Sequence, residues 1–318
     1  MEKTTGMVLQ KDLVRKKTRI KNHKTLQLLI LALPGIIWLI TFCYVPMGGA
    51  IVAFKDYKPK MGIFGSGWAG LENFKFLFAS DNATRIVLNT LFYNFIAIFI
   101  VAAVSILIAL LMDLIDKRVY LKTYQTMLFL PRFISWVVVG YMAMILFHYE
   151  YGLLNKILGL FGVDPISWYL EPEYWRPTLL AFNVWKAMGY TSLIYYGTII
   201  GIDAEIYEAA EIDGAGPIKK IWYITLPLLK TTIIIMSLMS VGSILRADFG
   251  LFYYVPNNSG ALYETTDVLD TYIFRALRGA GDISSSAAAS FFQSVIGLVM
   301  VLVCNGIVRK FDNDSSLF

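Results

Sequence analysis

Six long apolar stretches constrain the fold of this chain more than any other feature of its sequence. They cover residues 26–54, 86–112, 123–149, 177–202, 225–246 and 283–308. The shortest has 22 residues, and about 20 are enough for a helix to cross the hydrocarbon core of a bilayer. Because lipid offers no partner for backbone N–H and C=O groups, the stretches are expected to be helices. The sequence therefore predicts an all-α integral membrane protein with six transmembrane helices.

A soluble protein with very apolar core helices is the alternative. Charged residues make up 16% of the chain, whereas soluble domains carry about a quarter. Helices of soluble proteins also average only about 11–12 residues. Both comparisons favour a membrane protein over a soluble one.

The distribution of lysine and arginine predicts the orientation. The first 25 residues hold eight, and the loops on the same side raise that number to fifteen, whereas the loops on the opposite side hold eight. Because cytoplasmic loops carry an excess of these residues, both termini are predicted to be cytoplasmic. This bias accounts for the net charge of +5, and no basic and aromatic surface suggests nucleic acid as a partner.

The predicted spans divide the chain into one membrane domain with two tails. Residues 1–25 form a basic cytoplasmic tail, 26–309 the six-span domain and 310–318 a second cytoplasmic tail. On the opposite side of the membrane, residues 152–158 have apolar residues at helical spacing, which predicts a short helix along the membrane surface. On the cytoplasmic side, residues 203–227 form the loop between the fourth and fifth spans.

This cytoplasmic loop has a pattern that predicts a capped short helix. Asp203 is suited to the N-cap, and residues 204–212 favour helix. Gly214 and Gly216 can take the positive φ that ends a helix, and Pro227 then falls near the first turn of the fifth span. By itself, the pattern is also that of a solvated loop helix without a partner.

No catalytic or metal-binding residues are predicted. The glycines of the loop come without the lysine and hydroxyl group of a phosphate-binding loop, and the sequence holds no HExxH motif. Cys43 and Cys304 lie inside predicted spans as free thiols, and His23 and His148 are isolated. We therefore expect the chain not to be an enzyme and to hold no cofactor of its own.

The same loop resembles the EAA loop of type I ABC importer permeases. The family pattern runs Glu-Ala-Ala, two residues, Asp-Gly-Ala and, farther on, Ile-x-Leu-Pro. The chain matches it at Glu208, Ala209, Ala210, Asp213, Gly214, Ala215, Ile224, Leu226 and Pro227. It departs at Ile221 and Thr231, where the family often has an aromatic residue and a proline. Residues 54–57, 68–74, 152–155 and 287–297 are similar to a narrower branch, the oligosaccharide and polysaccharide-fragment importers related to the maltose permease subunits.

This resemblance implies the type I ABC importer permease fold in the cytoplasmic (inner) membrane of a bacterium. It implies a heterodimer with a second homologous permease subunit, two ATPase subunits that bind and hydrolyse ATP with Mg, and an extracytoplasmic solute-binding protein. The short helix would receive the movement of the ATPases and pass it to the spans. The residues implied in this coupling are Glu208, Ala209, Ala210, Asp213, Gly214, Ala215, Leu226 and Pro227.

Charged residues inside the predicted spans are candidates for the substrate path, because such residues are costly in lipid and usually face protein or a water-filled cavity. Lys186 lies about ten residues into the fourth span. A lysine attracts a carboxylate, whereas amide and aromatic groups suit sugar hydroxyls and rings. The predicted substrate-binding residues are Asn183, Trp185, Lys186, Tyr190 and Arg246. The implied function is import of oligosaccharides, with acidic fragments such as those of alginate or other uronate polymers as the hypothesis for this chain.

Each of the charged residues in the predicted spans also has a structural interpretation that involves no substrate. Lys186 and Arg246 are also suited to snorkelling or to an internal ion pair, for Arg246 with Asp248. Arg132, directly after Pro131, is suited to snorkelling or to fixing the end of the third span.

The alternative function is an ion-coupled secondary transporter of a small polar solute. Such proteins are expected to show discontinuous spans in repeated halves, together with carboxylates inside the membrane. No acidic residue lies well inside any predicted span, which favours the importer.

Overall fold

A computed structural model describes residues 25–75, 81–311 and 316. The predicted tails at 1–25 and 310–318 therefore lie almost wholly outside the described residues. The described residues form two compact units, one that ends at Gly70 and one that begins at Leu71.

The first unit consists of one long helix and a small hairpin. The helix α1 covers Thr25–Phe54 and continues through a π turn at Ile40–Tyr44, a short α segment at Val45–Met47 and a 3-10 segment at Gly48–Phe54. The hairpin pairs β1 (Lys55–Asp56) with β2 (Gly67–Trp68) in antiparallel register, and α2 (Gly62–Gly65) lies between the strands. No residue of the apolar window of α1 is buried, as expected of a helix that lipid or another chain surrounds.

The second unit is helical. Its helices are α3 (Asp81–Asp113), α4 (Arg118–Phe129), α5 (Trp136–Leu146), α6 (Leu153–Leu160), α7 (Trp175–Ile199), α8 (Ala204–Ile212), α9 (Pro217–Val241), α10 (Phe249–Tyr254), α11 (Tyr263–Thr266), α12 (Leu269–Arg275) and α13 (Ile283–Phe311). Between them lie 3-10 turns at Leu130–Phe133, Trp168–Leu170, Pro172–Tyr174 and Gly260–Leu262 and a π turn at Ala276–Ala280, and a further 3-10 turn covers Glu72–Phe74.

The prediction of six uninterrupted spans is confirmed only in part. Among the described residues, four helices are long and apolar enough to cross a membrane, namely α1, α3, α9 and α13. The helices α4 and α5 pass the same test only as a pair, and the pair is bent by 94°. The chain is thus a helical membrane protein whose described residues contain four candidate spans, or five if the bent pair is one span.

The predicted third span, residues 123–149, is a broken helix rather than a continuous one. Pro131 has no N–H to donate and ends α4 through a 3-10 turn. Ser135 then caps α5, and its side chain accepts a hydrogen bond from the Val138 N–H at 3.4 Å. The break leaves the carbonyl of Ile134 outside any helical ladder and therefore free to accept a hydrogen bond from a side chain of another helix.

The predicted fourth span, residues 177–202, corresponds to α7, a helix of 25 residues that is absent from the four apolar spans. Its two ends lie in separate buried clusters. Leu179 shares one cluster with Tyr93 of α3, and Tyr195 shares the other with Ala109 of α3. The helix α7 therefore runs parallel to α3 and packs along it, so this side of α7 does not need to be as apolar as a lipid-facing surface.

The fifth span begins earlier than the predicted residue 225 and ends before residue 246. The helix α9 starts at Pro217 and ends at Val241. Pro227 therefore lies inside the helix, and a π turn at Ile221–Thr225 ends two residues before it. A π turn shifts the hydrogen-bond ladder by one residue, which accommodates the missing N–H of a proline.

The predicted short helix after the third span is present as α6. Its buried Asn155 organises the following loop, donating to the carbonyls of Tyr149 (3.0 Å) and Ile166 (2.9 Å). The same side chain accepts hydrogen bonds from the Ile166 N–H (3.2 Å) and from the Trp168 indole (2.8 Å). One amide thus holds α6 and the loop after it together.

Gly189 of α7 sets how closely α7 approaches α4. A Cβ atom at this position would lie 1.9 Å from the carbonyl oxygen of Leu128. Backbone atoms cannot rotate away as a side chain can, so Gly189→Ala is expected to lower the melting temperature of the purified transporter by about 5–10 °C. The matched control is Gly197→Ala in the same helix, where nothing lies within 4 Å of the added Cβ. Equal melting temperatures for the two variants would contradict the close approach.

Candidate functional site

The helix α8 is a short, capped element between α7 and α9. The Asp203 carboxylate accepts a hydrogen bond from the Glu205 N–H at 3.1 Å, which confirms the predicted N-cap. Gly214 has a φ of 75°, and the next N–H, of Ala215, returns to the carbonyl of Ala210 at 2.8 Å. This is the left-handed helix end for which glycine is preferred. Gly216 instead has a φ of −70° and is the N-cap of α9, so of these two glycines only Gly214 ends the helix by positive φ.

Two side-chain contacts attach this loop to the start of α9. The Tyr207 hydroxyl shares a hydrogen bond of 2.9 Å with the hydroxyl of the buried Thr225. Glu211 forms an ion pair with Lys220. Sequence reasoning missed Tyr207 and Thr225, although an aromatic residue in a helix of small and acidic residues is a signal for an anchor.

The predicted coupling residues divide into exposed and half-buried ones. Ala210, Ala215 and Leu226 are half-buried against the rest of the unit. Those exposed are Glu208, Ala209, Asp213, Gly214 and Pro227. Large apolar side chains are also exposed around them: Ile212 (88%), Ile218 (72%), Trp222 (65%) and Tyr223 (80%). The exposed groups of this segment are therefore acidic, small and apolar.

A polar cavity of about 290 Å³ lies in the second unit, at the break between α4 and α5. Its lining consists of Arg132, Trp136, Asn183, Lys186, Ala187 and Asp248. Three elements contribute: the broken span supplies the first two residues, α7 the next three, and the N-cap of α10 the last. The residues come together because α7 packs against the turn at Leu130–Phe133.

Lys186 is fixed in this cavity by uncharged groups. Its Nζ donates to the carbonyl of Ile134 at 2.7 Å and lies 3.8 Å from the centroid of the Trp136 ring. The indole N–H of Trp136 in turn donates to Asp248 at 2.7 Å. Asp248 also accepts from the N–H groups of Gly250 (3.0 Å) and Leu251 (3.4 Å).

Arg132 brings a second positive charge to the same cavity. Its guanidinium lies 5.2 Å from the centroid of the Tyr190 ring, in a cation–π arrangement. The sequence suggested that Arg132 fixes a span end, and the structure places it beside Lys186 in the cavity lining. The signal in the sequence was its position directly after Pro131, where the span breaks.

The other predicted substrate residues are dispersed. Asn183 and Lys186 line the cavity, and Tyr190 lies beneath Arg132. Trp185 instead packs against the buried cluster that contains Leu179, because neighbouring residues of a helix point in different directions.

Arg246 is not among the residues that line this cavity. Its guanidinium donates to the Ser294 hydroxyl at 2.8 Å. The suggested ion pair of Arg246 with Asp248 is replaced by this contact and by the hydrogen bond from Trp136 to Asp248.

A second cavity, of about 240 Å³, adjoins the first and shares Asn183 and Ala187 with it. Uncharged polar side chains supply much of its lining, namely Asn94, Thr191, Tyr195, Ser237, Ser240 and Ser243. A cationic section and a hydroxyl-rich section therefore lie side by side along α7.

Comparison with known proteins identifies the chain's relatives. Residues 122–314 match the family described as "Binding-protein-dependent transport system inner membrane component". The chain is 34% identical to the polygalacturonan/rhamnogalacturonan transport system permease protein YteP of Bacillus subtilis, over 96% of this chain and 95% of that protein. It is 32% identical to the protein LplB of the same organism, over 93% and 92% of the two chains.

Two solved structures of a bacterial alginate ABC transporter agree with these matches. One shows the transporter in complex with a periplasmic protein bound to alginate pentasaccharide, and its matching chain has a TM-score of 0.81 and 32% identity. The alignment covers 91% of this chain and 96% of that one. The other structure has a TM-score of 0.81 and 33% identity, with 94% and 99% coverage. The resemblance of the loop at 208–227 to importer permeases is thereby confirmed, and the chain belongs to the family of binding-protein-dependent transport system inner membrane components.

Proposed function

We propose that the chain is a permease subunit of an ATP-driven importer that passes acidic oligosaccharides from an extracytoplasmic binding protein to the cytoplasm. The observation that carries the proposal is the pair of cations, Lys186 and Arg132, on one polar cavity within the membrane domain. The relatives support it, since one is named for polygalacturonan and rhamnogalacturonan and another for alginate. All three names refer to polymers that contain uronates.

The contacts of Lys186 leave room for a ligand. An ammonium group has three donors, and among the contacts of the described residues one donor is taken by the Ile134 carbonyl. A uronate carboxylate would accept from another and would stand near the guanidinium of Arg132. The hydroxyl groups and Asn183 of the adjoining cavity would hydrogen-bond the uncharged part of the sugar. Volumes of about 240 and 290 Å³ suit single sugar rings.

The loop that contains α8 is proposed as the docking element for an ATPase subunit. Glu208 and Asp213 are exposed acceptors for charged hydrogen bonds, and the small Ala209 beside them allows close approach. The half-buried Ala210, Ala215 and Leu226 would keep the loop on its own subunit, whereas Gly214 and Pro227 are exposed. Because Tyr207 binds Thr225 in α9, displacement of α8 would move the start of α9 with it.

The remaining components are assigned to partners. ATP and Mg belong to the two ATPase subunits, and a second homologous permease subunit would complete the membrane channel. This arrangement puts both termini and α8 in the cytoplasm, and it puts the opposite end of α3 and α7 on the outer side.

The experiment is uptake of labelled trigalacturonate by the assembled transporter in proteoliposomes, with its binding protein outside and ATP inside. The comparison sugar is the fully methyl-esterified trisaccharide, which has the same rings without the charge. We expect ATP-dependent uptake with a preference for the acid of at least about tenfold in kcat/KM. Uptake of both sugars at equal rates would overturn the acidic specificity. Uptake that continues without ATP and stops with an ionophore would support the ion-coupled alternative.

A further inference from the structure

A larger cavity, of about 450 Å³, lies at the other end of α3 from α8. It is formed by the first turns of α3 together with α11, α12 and the segment before α13. Ala109 of α3 packs with Tyr195 at the end of α7 that leads into α8. Arg85, in the cavity wall, precedes Ala109 by 24 residues, or roughly 36 Å along the helix. In the proposed orientation this cavity therefore opens on the outer side.

Arg85 contributes an unsatisfied donor to the wall. Its Nε atom is buried and has no hydrogen-bond partner among the described residues. Buried polar atoms in native proteins nearly always have a partner, and one without it calls for an explanation such as a bound ligand. The side chain as a whole is half-buried, so its outer nitrogens can be reached from the cavity.

The other charges of the wall are already engaged. Arg275 pairs with the buried Asp267 at 2.5 Å and lies 4.2 Å from the centroid of the Tyr263 ring. Asp282 accepts a hydrogen bond from the Ser285 N–H at 3.0 Å. Arg275 is thus held by Asp267, and Arg85 remains as the cation of the wall that could turn its outer nitrogens to a ligand.

The remaining wall groups define the chemistry of that ligand. Tyr263 and Tyr272 present aromatic rings, and Asn82 adds an exposed amide at the rim. Aromatic faces pack against the C–H faces of sugar rings. The N–H groups of an amide and a guanidinium can donate hydrogen bonds to ring oxygens, hydroxyls and carboxylates. A concave wall with this mixture suits a sugar ring better than the flat surface of a docked protein.

We propose that this cavity is an outer subsite that holds one ring of the oligosaccharide before it reaches Lys186, with Arg85 as donor to an oxygen of that ring. The proposal rests on the proposed function as an oligosaccharide importer. It adds a binding step at the outer end of α3, separate from the cavity at the broken span.

The test is uptake of labelled trigalacturonate by the reconstituted transporter carrying Arg85→Gln. We expect KM to rise about tenfold, the effect of losing a charge-assisted hydrogen bond, with kcat within about twofold. Asn82→Ala removes an exposed rim amide without disturbing the core and is expected to raise KM about threefold. The control is Arg278→Gln, an exposed arginine of the same outer segment that is not among the residues lining the cavity.

The outcomes separate this proposal from the proposed function. If the parent imports trigalacturonate and neither Arg85→Gln nor Asn82→Ala changes KM, the outer subsite is overturned and the importer function stands. If the transporter that carries Arg85→Gln fails to assemble, the KM of the Asn82→Ala transporter alone decides whether the outer subsite stands. If the parent imports no oligosaccharide, both proposals fall. A KM increase of equal size in Arg278→Gln would show a general charge effect and would also overturn the subsite.

Discussion

Replacing Lys186 with glutamine is expected to abolish the preference of the transporter for trigalacturonate over its methyl ester. Removing one partner of a desolvated charge pair costs about 2–5 kcal/mol, which corresponds to a loss of about 30-fold or more in kcat/KM for the acid. The ester has no carboxylate, so its uptake is expected to stay within about threefold of the parent. The measurement is initial uptake of both sugars by matched proteoliposomes.

Glutamine is the informative substitution because it separates charge from packing. Its amide can still donate to the Ile134 carbonyl, which Lys186 contacts at 2.7 Å. The cation–π contact with Trp136 is lost, at a cost of about 0.5–2 kcal/mol of stability, so assembly of the complex is checked by gel filtration.

The control is Lys156→Gln, an exposed lysine of α6, for which no change in either uptake is expected. Equal loss of acid and ester uptake in Lys186→Gln would show that Lys186 only holds the break in place.

The sequence located Lys186 and Asn183 because an intramembrane lysine is informative by itself. It did not locate Trp136 and Asp248, which lie 112 residues apart in the chain and meet only through the packing of α5 and α10. Nor did it place Arg132, whose position depends on the break at Pro131. A continuous helix through residues 123–149 would point this arginine elsewhere and would leave no free carbonyl for Lys186.

Local features were predicted more accurately than tertiary ones. The cap at Asp203 and the helix end at Gly214 depend on residues within one turn, and both are present. The start of α9 was predicted too late, because the rule that places proline in a first turn competed with a π turn that allows Pro227 inside the helix. The apolar periodicity could not distinguish α7, which packs along α3 over its length, from a helix that lipid surrounds.

Reversing the charge of Glu208 is expected to uncouple the transporter. In Glu208→Lys, sugar-stimulated ATP hydrolysis and uptake are both expected to fall by at least about 50-fold, since a like charge or an unpaired charge at a docking surface costs several kcal/mol. Glu208 is exposed and makes none of the hydrogen bonds or ion pairs described above, so the helix itself is expected to stay folded. The measurement is ATPase activity of the reconstituted complex with the loaded binding protein.

The matched control is Asp116→Lys, a charge reversal at an exposed residue of the loop between α3 and α4, on the same side of the membrane in the proposed orientation. It is expected to keep ATPase activity within about twofold of the parent. Unchanged transport in Glu208→Lys would remove the docking role from α8.

A second variant tests how the movement leaves α8. Tyr207→Phe removes the hydroxyl that bonds Thr225 at 2.9 Å but keeps the ring and the exposed face of α8. If displacement of α8 reaches α9 through this contact, ATP hydrolysis is expected to continue while the amount of sugar imported per ATP falls about threefold, the effect of one lost hydrogen bond. Loss of hydrolysis and transport in equal proportion would instead mean that Tyr207 serves docking, and coupling would then have to pass through the ion pair of Glu211 with Lys220.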